Sequence, residues 1–268
     1  NYLQMKKTFY IICILFAGIT QLFAQEISAT EQNNNAQNDS KNKIISEDRK
    51  ISGFENIDVN GRFKVILYQQ DKVSITVVAP DEFMEYIETT VANNTLKIDM
   101  IKIDKSQKPG LLDRLKIKYN DYLIRQPIEI HVGVQNLKTI YASGASVVET
   151  KNNFQLNNLN IQLAGASKGL LKCNIVNHIF IDLSGASKLE TEGTANSIKI
   201  NSSGAAKFEG DNFKVKNAEI NSSGASKIEI FASEKLDAEL GGASTVICNG
   251  SPKVVNQTSS RASKIVIK

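Results

Sequence analysis

Five lysines, Lys168, Lys188, Lys207, Lys227 and Lys264, recur at a period of about twenty residues, with Thr245 interrupting the series. Glu190, Glu209 and Glu229 stand two residues after three of them, and strand alternation puts such pairs on one face. Two chemistries are open to this pattern. A bare lysine stripe attracts anionic sugars or lipid headgroups. A stripe matched by glutamates neutralises itself and protects solubility, and the adjacent Lys and Glu series favour this second reading.

Catalytic chemistry finds little support. A lyase or hydrolase of polysaccharides needs converging carboxylates, often with a base or Ca²⁺. Asp182 belongs to a periodic series with Gln162, Asn201, Asn221 and Glu239, a mixed polar column without an obvious acidic pair. His131 and His178 have no nucleophile or ligand at a recognisable spacing, and Cys173 stands five residues before His178 without a catalytic interval. Phosphate-cradling glycine fingerprints and the glycine-rich calcium repeat are absent. The sequence assigns no catalytic residue, no cofactor and no metal, and the protein is expected not to be an enzyme.

Stripes of this kind require a scaffold that repeats. From residue 140 onward the chain reads IYASGASVVE, IQLAGASKGL, IDLSGASKLE, INSSGAAKFE, INSSGASKIE, AELGGASTVI and QTSSRASKIV. The aligned position holds Gly144, Gly165, Gly185, Gly204, Gly224, Gly242 and Arg261, at spacings of 21, 20, 19, 20, 18 and 19 residues. Four residues before the glycine stands Ile161, Ile181, Ile200 or Ile220; four after it stands Leu189, Phe208, Ile228, Val246 or Ile265. Stacked one turn per repeat, these positions become continuous apolar columns, and the glycines sit at a tight corner. The expected fold is all-β, a right-handed parallel β-helix (solenoid) with repeats of about 18–21 residues. Arg261 should distort or expose the final corner.

The same register extends upstream, because Gly61 has Ile57 four before it and Val65 four after. Residues 49–135 are therefore expected to form degenerate rungs or a cap, with a short helical turn within 81–91 and an irregular excursion at 104–126; residues 136–268 carry the seven repeats. Both belong to one domain, 49–268. Cys173 and Cys248 fall four turns apart, about 19 Å at strand spacing, beyond the ~7 Å Cα limit of a disulfide. Both should be free thiols.

The polar, Asn-rich residues 25–48 cannot bury enough apolar surface to offset their ordering entropy and are expected to be a flexible linker. Residues 1–24 contain MKKTFYIICILFAGITQLFA, a basic start, a short apolar core and a small residue before a cut, the pattern of a secretory signal. Cys13 has Tyr10 three residues before it, where a lipoprotein signal has Leu, so no lipid anchor is expected. The formal charge of +4 over 268 residues becomes 4 − 2 = +2 once Lys6 and Lys7 are set aside, too little and too dispersed for a nucleic-acid partner.

The opening GFENIDVNGRFKVILYQ, the segment VANNTLKIDM and the serial SGAS copies together resemble the bacterial head GIN domain family, described as putative auto-transporter adhesins, over roughly residues 50–268. The resemblance implies a β-helical exported protein with an adhesin-like role. The expected function is binding of an extracellular polymer or cell-surface ligand, such as a glycan or envelope component, in the periplasm, on the outer-membrane surface or outside the cell. The alternatives are a carbohydrate-active β-helix enzyme, or an envelope structural element that assembles as a homo-oligomer through its C-terminal rung.

Overall fold

The computed structural model describes residues 43–101, 127–260 and 262–268. They fall into two compact units: Ile45–Ala79 with Phe83–Lys268, and a small one whose described residues are 43–44 and 80–82. In the small unit the Asp81 amide donates to the Lys43 carbonyl at 3.0 Å. In chain order the elements are β1 (Ile44–Asp48), β2 (Asn56–Gly61), β3 (Phe63–Gln69), β4 (Ser74–Pro80), α1 (Asp81–Met84), β5 (Ile87–Ala92), β6 (Thr95–Met100), β7 (Ile128–Val134), β8 (Thr139–Gly144) and β9 (Val147–Thr150). The long repeat strands follow: β10 (Phe154–Leu163), β11 (Lys168–Leu183), β12 (Lys188–Ser202), β13 (Lys207–Ser222), β14 (Lys227–Leu240), β15 (Thr245–Cys248), β16 (Val254–Ser259) and β17 (Lys264–Ile267).

The repeats stack as a parallel β-solenoid of about six turns. Its register is the one the spacing predicts. Ile57, Ile140, Ile161, Ile181, Ile200, Ile220 and Ala238 stand over one another as successive partners. Val65, Val148, Gly169, Leu189, Phe208, Ile228, Val246 and Ile265 form the second column. The larger side chains fill space left by glycines: a Cβ on Gly169 would meet Leu189, and one on Gly210 would meet the ring of Phe208. Such exchange of volume, between turns at Gly169 and within β13 at Gly210, keeps the core dense.

The corner between the two columns explains the invariant part of the repeat. Gly144, Gly165, Gly185, Gly204, Gly224 and Gly242 all adopt φ between 65° and 78°, where side chains are strained. Space forbids a side chain as well: a Cβ on Gly224 would lie 2.5 Å from the carbonyl oxygen of Gly204 in the neighbouring turn. The following alanine donates its amide to that same carbonyl, at 2.7–2.8 Å from Ala145 through Ala243. The next serine is buried, and in Ser146, Ser226 and Ser244 its hydroxyl donates to the carbonyl three residues earlier at 2.9–3.1 Å. Arg261, the exception in the repeat, lies outside the described residues.

The N-terminal strands are both rung and cap. β2 and β3 make one turn of the solenoid, with Gly61 opposite Gly144. One neighbouring turn is β8 with β9; on the other side lie β6 and β7, also parallel. The chain thus lays down β2–β3 and later places strands on both of its edges. The far edges of β6 and β7 are closed by antiparallel partners, β5 and β4. This pairing removes the open edge that a parallel sheet would present.

Two expectations need correction. The linker 25–48 ends earlier than its composition suggests, since β1 begins at Ile44. β1 is largely exposed: only Ile45 packs against the core, and polar contacts around β4 add to its hold, with the Arg49 amide donating to Ile75 at 2.8 Å and Thr76 Oγ1 to Asp48 at 2.6 Å. A strand held this way leaves no apolar alternation to read. The helical turn expected within 81–91 is confined to Asp81–Met84, and Ile87–Ala92 is a strand instead. Asn93 and Asn94, at φ 51° and 61°, make a tight hairpin that turns β5 back onto β6. The signal segment 1–24 and the excursion at 104–126 lie outside the described residues.

The corner makes a direct prediction. Gly224→Val should lower stability by about 1–3 kcal/mol, the range for a non-glycine residue forced into a rare backbone conformation. Ala225→Ser, one residue along on the exposed side, should stay within about 0.5 kcal/mol. Urea denaturation of the two variants measures the difference, and equal losses would contradict this account of the corner.

Candidate ligand-binding faces

Parallel register stacks like residues on like, and the outer face after the corner shows the consequence. Lys168, Lys188, Lys207 and Lys227 are direct partners in successive turns, followed by Thr245 and Lys264. Like charges stacked at strand spacing repel. The glutamates relieve this: Lys188 bridges Glu190 at 2.6 Å and Glu209 at 2.9 Å, Lys168 reaches Glu190 at 3.4 Å, and Lys207 and Lys227 pair with Glu209 and Glu229. Hydrogen bonds from Lys207 and then Lys188 hold the Glu209 carboxyl well down, at about 2. Glu190 is lowered mainly by Lys188, and Lys188 in turn is raised by its two carboxylate partners. Four lysines of the column share three glutamates as an ion-paired ladder, with Lys264 alone lacking an ion pair among the described residues.

A hollow of 350 Å³ beside this ladder brings Glu149, Glu190, Glu192, Glu209 and Asp211 together. The cluster is the nearest approach to a glycosidase arrangement. A general acid there would need a raised carboxyl, whereas Glu190 and Glu209 are both displaced the opposite way by their lysines. No group of metal-binding side chains occurs among the described residues. The chemistry of this hollow is that of a salt-bridge surface.

The opposite side of the corner differs in kind. Tyr141, Gln162, Asp182, Asn201, Asn221, Glu239 and Thr258 are successive partners in one outward column. Asn160, Phe180, Lys199, Glu219, Asp237 and Asn256 form a second column beside it. Shallow hollows of 570, 520, 290 and 580 Å³ overlap along these columns. The first two share His178 and Phe180, the middle two Glu219 and Asp237, the last two Asn221 and Glu239. The first two follow one another along the stack and the other two lie beside the second over largely the same turns, so together they form a broad, shallow trough on this face.

Hydrogen bonds run along the trough from turn to turn. Gln162 Nε2 donates to the Tyr141 hydroxyl at 3.1 Å and Asn221 Nδ2 to Asn201 Oδ1 at 3.2 Å. Lys199 pairs with Glu219 of the next turn at 2.7 Å, and within β14 Lys235 pairs with Asp237 at 2.5 Å. Asp237 is lowered by Lys235 first and by Asn256 second. Beneath the surface, Ser202 donates to Ser222 at 2.8 Å, a buried polar rung in an otherwise apolar column.

The remaining candidates are accounted for locally. His178 is exposed at the trough wall and its Nδ1 meets the Ser197 hydroxyl; no acidic partner completes a triad. His131 lies far from it in β7, stacked on Tyr68 with ring centroids 6.1 Å apart and 3.4 Å from Glu129. Cys173 and Cys248 are free and buried, as the register requires, and burial pushes the Cys173 thiol up to about 12. The column containing Asp182 was legible from the period. Its neighbour with Phe180 and Lys199 was visible two residues upstream in each repeat, although nothing in the period marks that side as concave.

The family described as "Putative auto-transporter adhesin, head GIN domain" matches residues 53–252. Among solved structures, one described as a putative adhesin from Bacteroides fragilis NCTC 9343 is 23% identical, with a TM-score of 0.71 over 84% of this chain and 97% of that one. A putative lipid binding protein from Parabacteroides distasonis ATCC 8503 is 19% identical, with a TM-score of 0.63 and coverage of 84% and 97%. A putative adhesin from the same organism is 14% identical, at 0.60, with coverage of 84% and 98%. At these identities the three share the fold. No curated protein matches the chain in sequence.

Two outcomes follow from the ladder and the thiol. Lowered carboxyls stabilise the fold above the ordinary glutamate range, and that contribution disappears as pH falls through the folded value, about 2 for Glu209. The melting temperature should therefore fall between about pH 5 and pH 2, and Glu209→Gln should flatten part of that fall. In mass-spectrometric labelling at pH 8, Cys173 should resist iodoacetamide while folded and react once guanidinium is added; labelling of the native thiol would contradict its burial.

Proposed function

The chain belongs to the head GIN domain family, and we propose that it is an exported, adhesin-like protein that binds an extended extracellular polymer along the trough beside the glycine corner. The trough supports this reading because it is long, shallow and lined at every turn by hydrogen-bonding side chains. Solenoids commonly use such extended surfaces for binding. A polymer lying along the axis meets a new set of amides or hydroxyls at each rung, so many weak contacts add along one rigid surface.

Catalysis is not part of the proposal. Lysines hold the Glu190 and Glu209 carboxyls of the acidic hollow below their usual range, whereas hydrolysis requires a carboxyl raised to act as acid beside one that stays ionised. Export rests on the basic and apolar residues 5–24, and among the described residues no helix is long and apolar enough to cross a membrane.

The test is retention without turnover. A panel of immobilised bacterial and host polysaccharides should retain the wild-type protein and release no new reducing ends. Asn201→Trp with Asn221→Trp, which crowds the trough, should lower retention about tenfold, equivalent to about 1.4 kcal/mol. Steady product release would overturn the non-enzymatic reading, and unchanged retention by the double variant would remove the trough from it.

A further inference from the structure

The charge balance of the trough points to the class of polymer. Each lysine along it is matched by a carboxylate: Lys138 by Glu55 at 2.7 Å, Lys199 by Glu219 at 2.7 Å and Lys235 by Asp237 at 2.5 Å. Two carboxylates of the outward column, Asp182 and Glu239, have no ion-pair partner among the described residues. They bracket Asn201 and Asn221 at consecutive rungs, so the central stretch of the trough presents carboxylate, amide, amide, carboxylate. A polyanion laid here would meet two unpaired negative charges and no uncompensated lysine or arginine, in a shallow groove where repulsion is screened but not abolished.

Resting on the polymer-binding reading, we propose that the ligand is an uncharged, hydroxyl-rich glycan in extended form, and that sulfated, phosphorylated or uronate-rich chains are excluded. Carboxylates accept hydrogen bonds from sugar hydroxyls, while asparagine and glutamine amides both donate and accept. A neutral glycan offers hydroxyls of both roles along its length, so it satisfies either kind of rung. The half-buried ring of Phe180, at the junction of two hollows, supplies an apolar surface for the C–H face of a sugar ring. The Lys/Glu ladder on the other side of the corner is a poor compensating site, because four of its lysines are already engaged by glutamates.

The experiment measures binding of the protein to dextran, mannan and cello-oligosaccharides, and in parallel to dextran sulfate and alginate, at two salt concentrations. Expected is salt-insensitive binding to at least one neutral polymer, weakened about tenfold by Asn201→Ala with Asn221→Ala, while neither polyanion binds. Asp182→Lys with Glu239→Lys, which reverses the two unpaired charges, should admit dextran sulfate in a salt-sensitive manner. Thermal melts confirm that both double variants are folded. If the wild type binds only the polyanions and Lys188→Glu abolishes that binding, the neutral-ligand inference is overturned while polymer binding stands. If it retains none of the polysaccharides, both readings fall.

Discussion

The contact on which the rest of the structure depends is the stacking of one glycine on the next at the corner. The carbonyl of each glycine receives the amide of the alanine one turn away, at a distance that leaves no space for a Cβ. With left-handed φ at each turn, this contact fixes where the chain bends and so fixes register. A slip of one residue would turn every inward isoleucine outward. Register thus needs no special pairing in the strands themselves, which are free to vary wherever the columns stay apolar.

That freedom has an electrostatic consequence. Parallel in-register stacking sets each outward residue against its equivalent, so an outward lysine faces another lysine. On one side of the corner the protein answers with a glutamate ladder offset by two residues, and Lys188 shared between Glu190 and Glu209 shows the offset bridging turns. Each such exposed pair contributes little by itself; its main effect is to cancel repulsion. On the other side one column stacks amides, Asn201 on Asn221, which both donate and accept, while the column beside it pairs Lys199 with Glu219 across turns. The two sides therefore differ chemically, one an ion-paired ladder and the other a mixed column of amides and carboxylates.

The N-terminal region solves a different problem. A solenoid must end, and an uncovered parallel edge invites association. Placing β6 and β7 beyond β2 and β3, then covering them with the antiparallel β5 and β4, ends the parallel array with strands of opposite direction. The arrangement relies on contacts between segments far apart in the chain, such as Phe63 with Ile128. Non-local pairing of this kind closes large loops and forms slowly in folding.

The repeat spacing alone determined the turn of the solenoid, its two apolar columns, the glycine corner from Gly61 to Gly242, the free state of Cys173 and Cys248 and the matching of Lys188 with Glu190. All of these are consequences of periodicity, since equal offsets from equal glycines must become neighbours. The tertiary structure decided what has no period. The position of β6 and β7 beyond β2, the pairing of β1 with β4 and the hairpin at Asn93–Asn94 depend on single, unrepeated contacts. The trough is the subtler case: its residues were countable from the repeat, but the hollows between them were not. Register shifts such as those between Ile175 and His178, or Glu190 and Gly193, insert residues in one turn and not the next. Period shows which residues are stacked; which stacked face is hollow depends on the path of the folded backbone, which has no signature in the spacing.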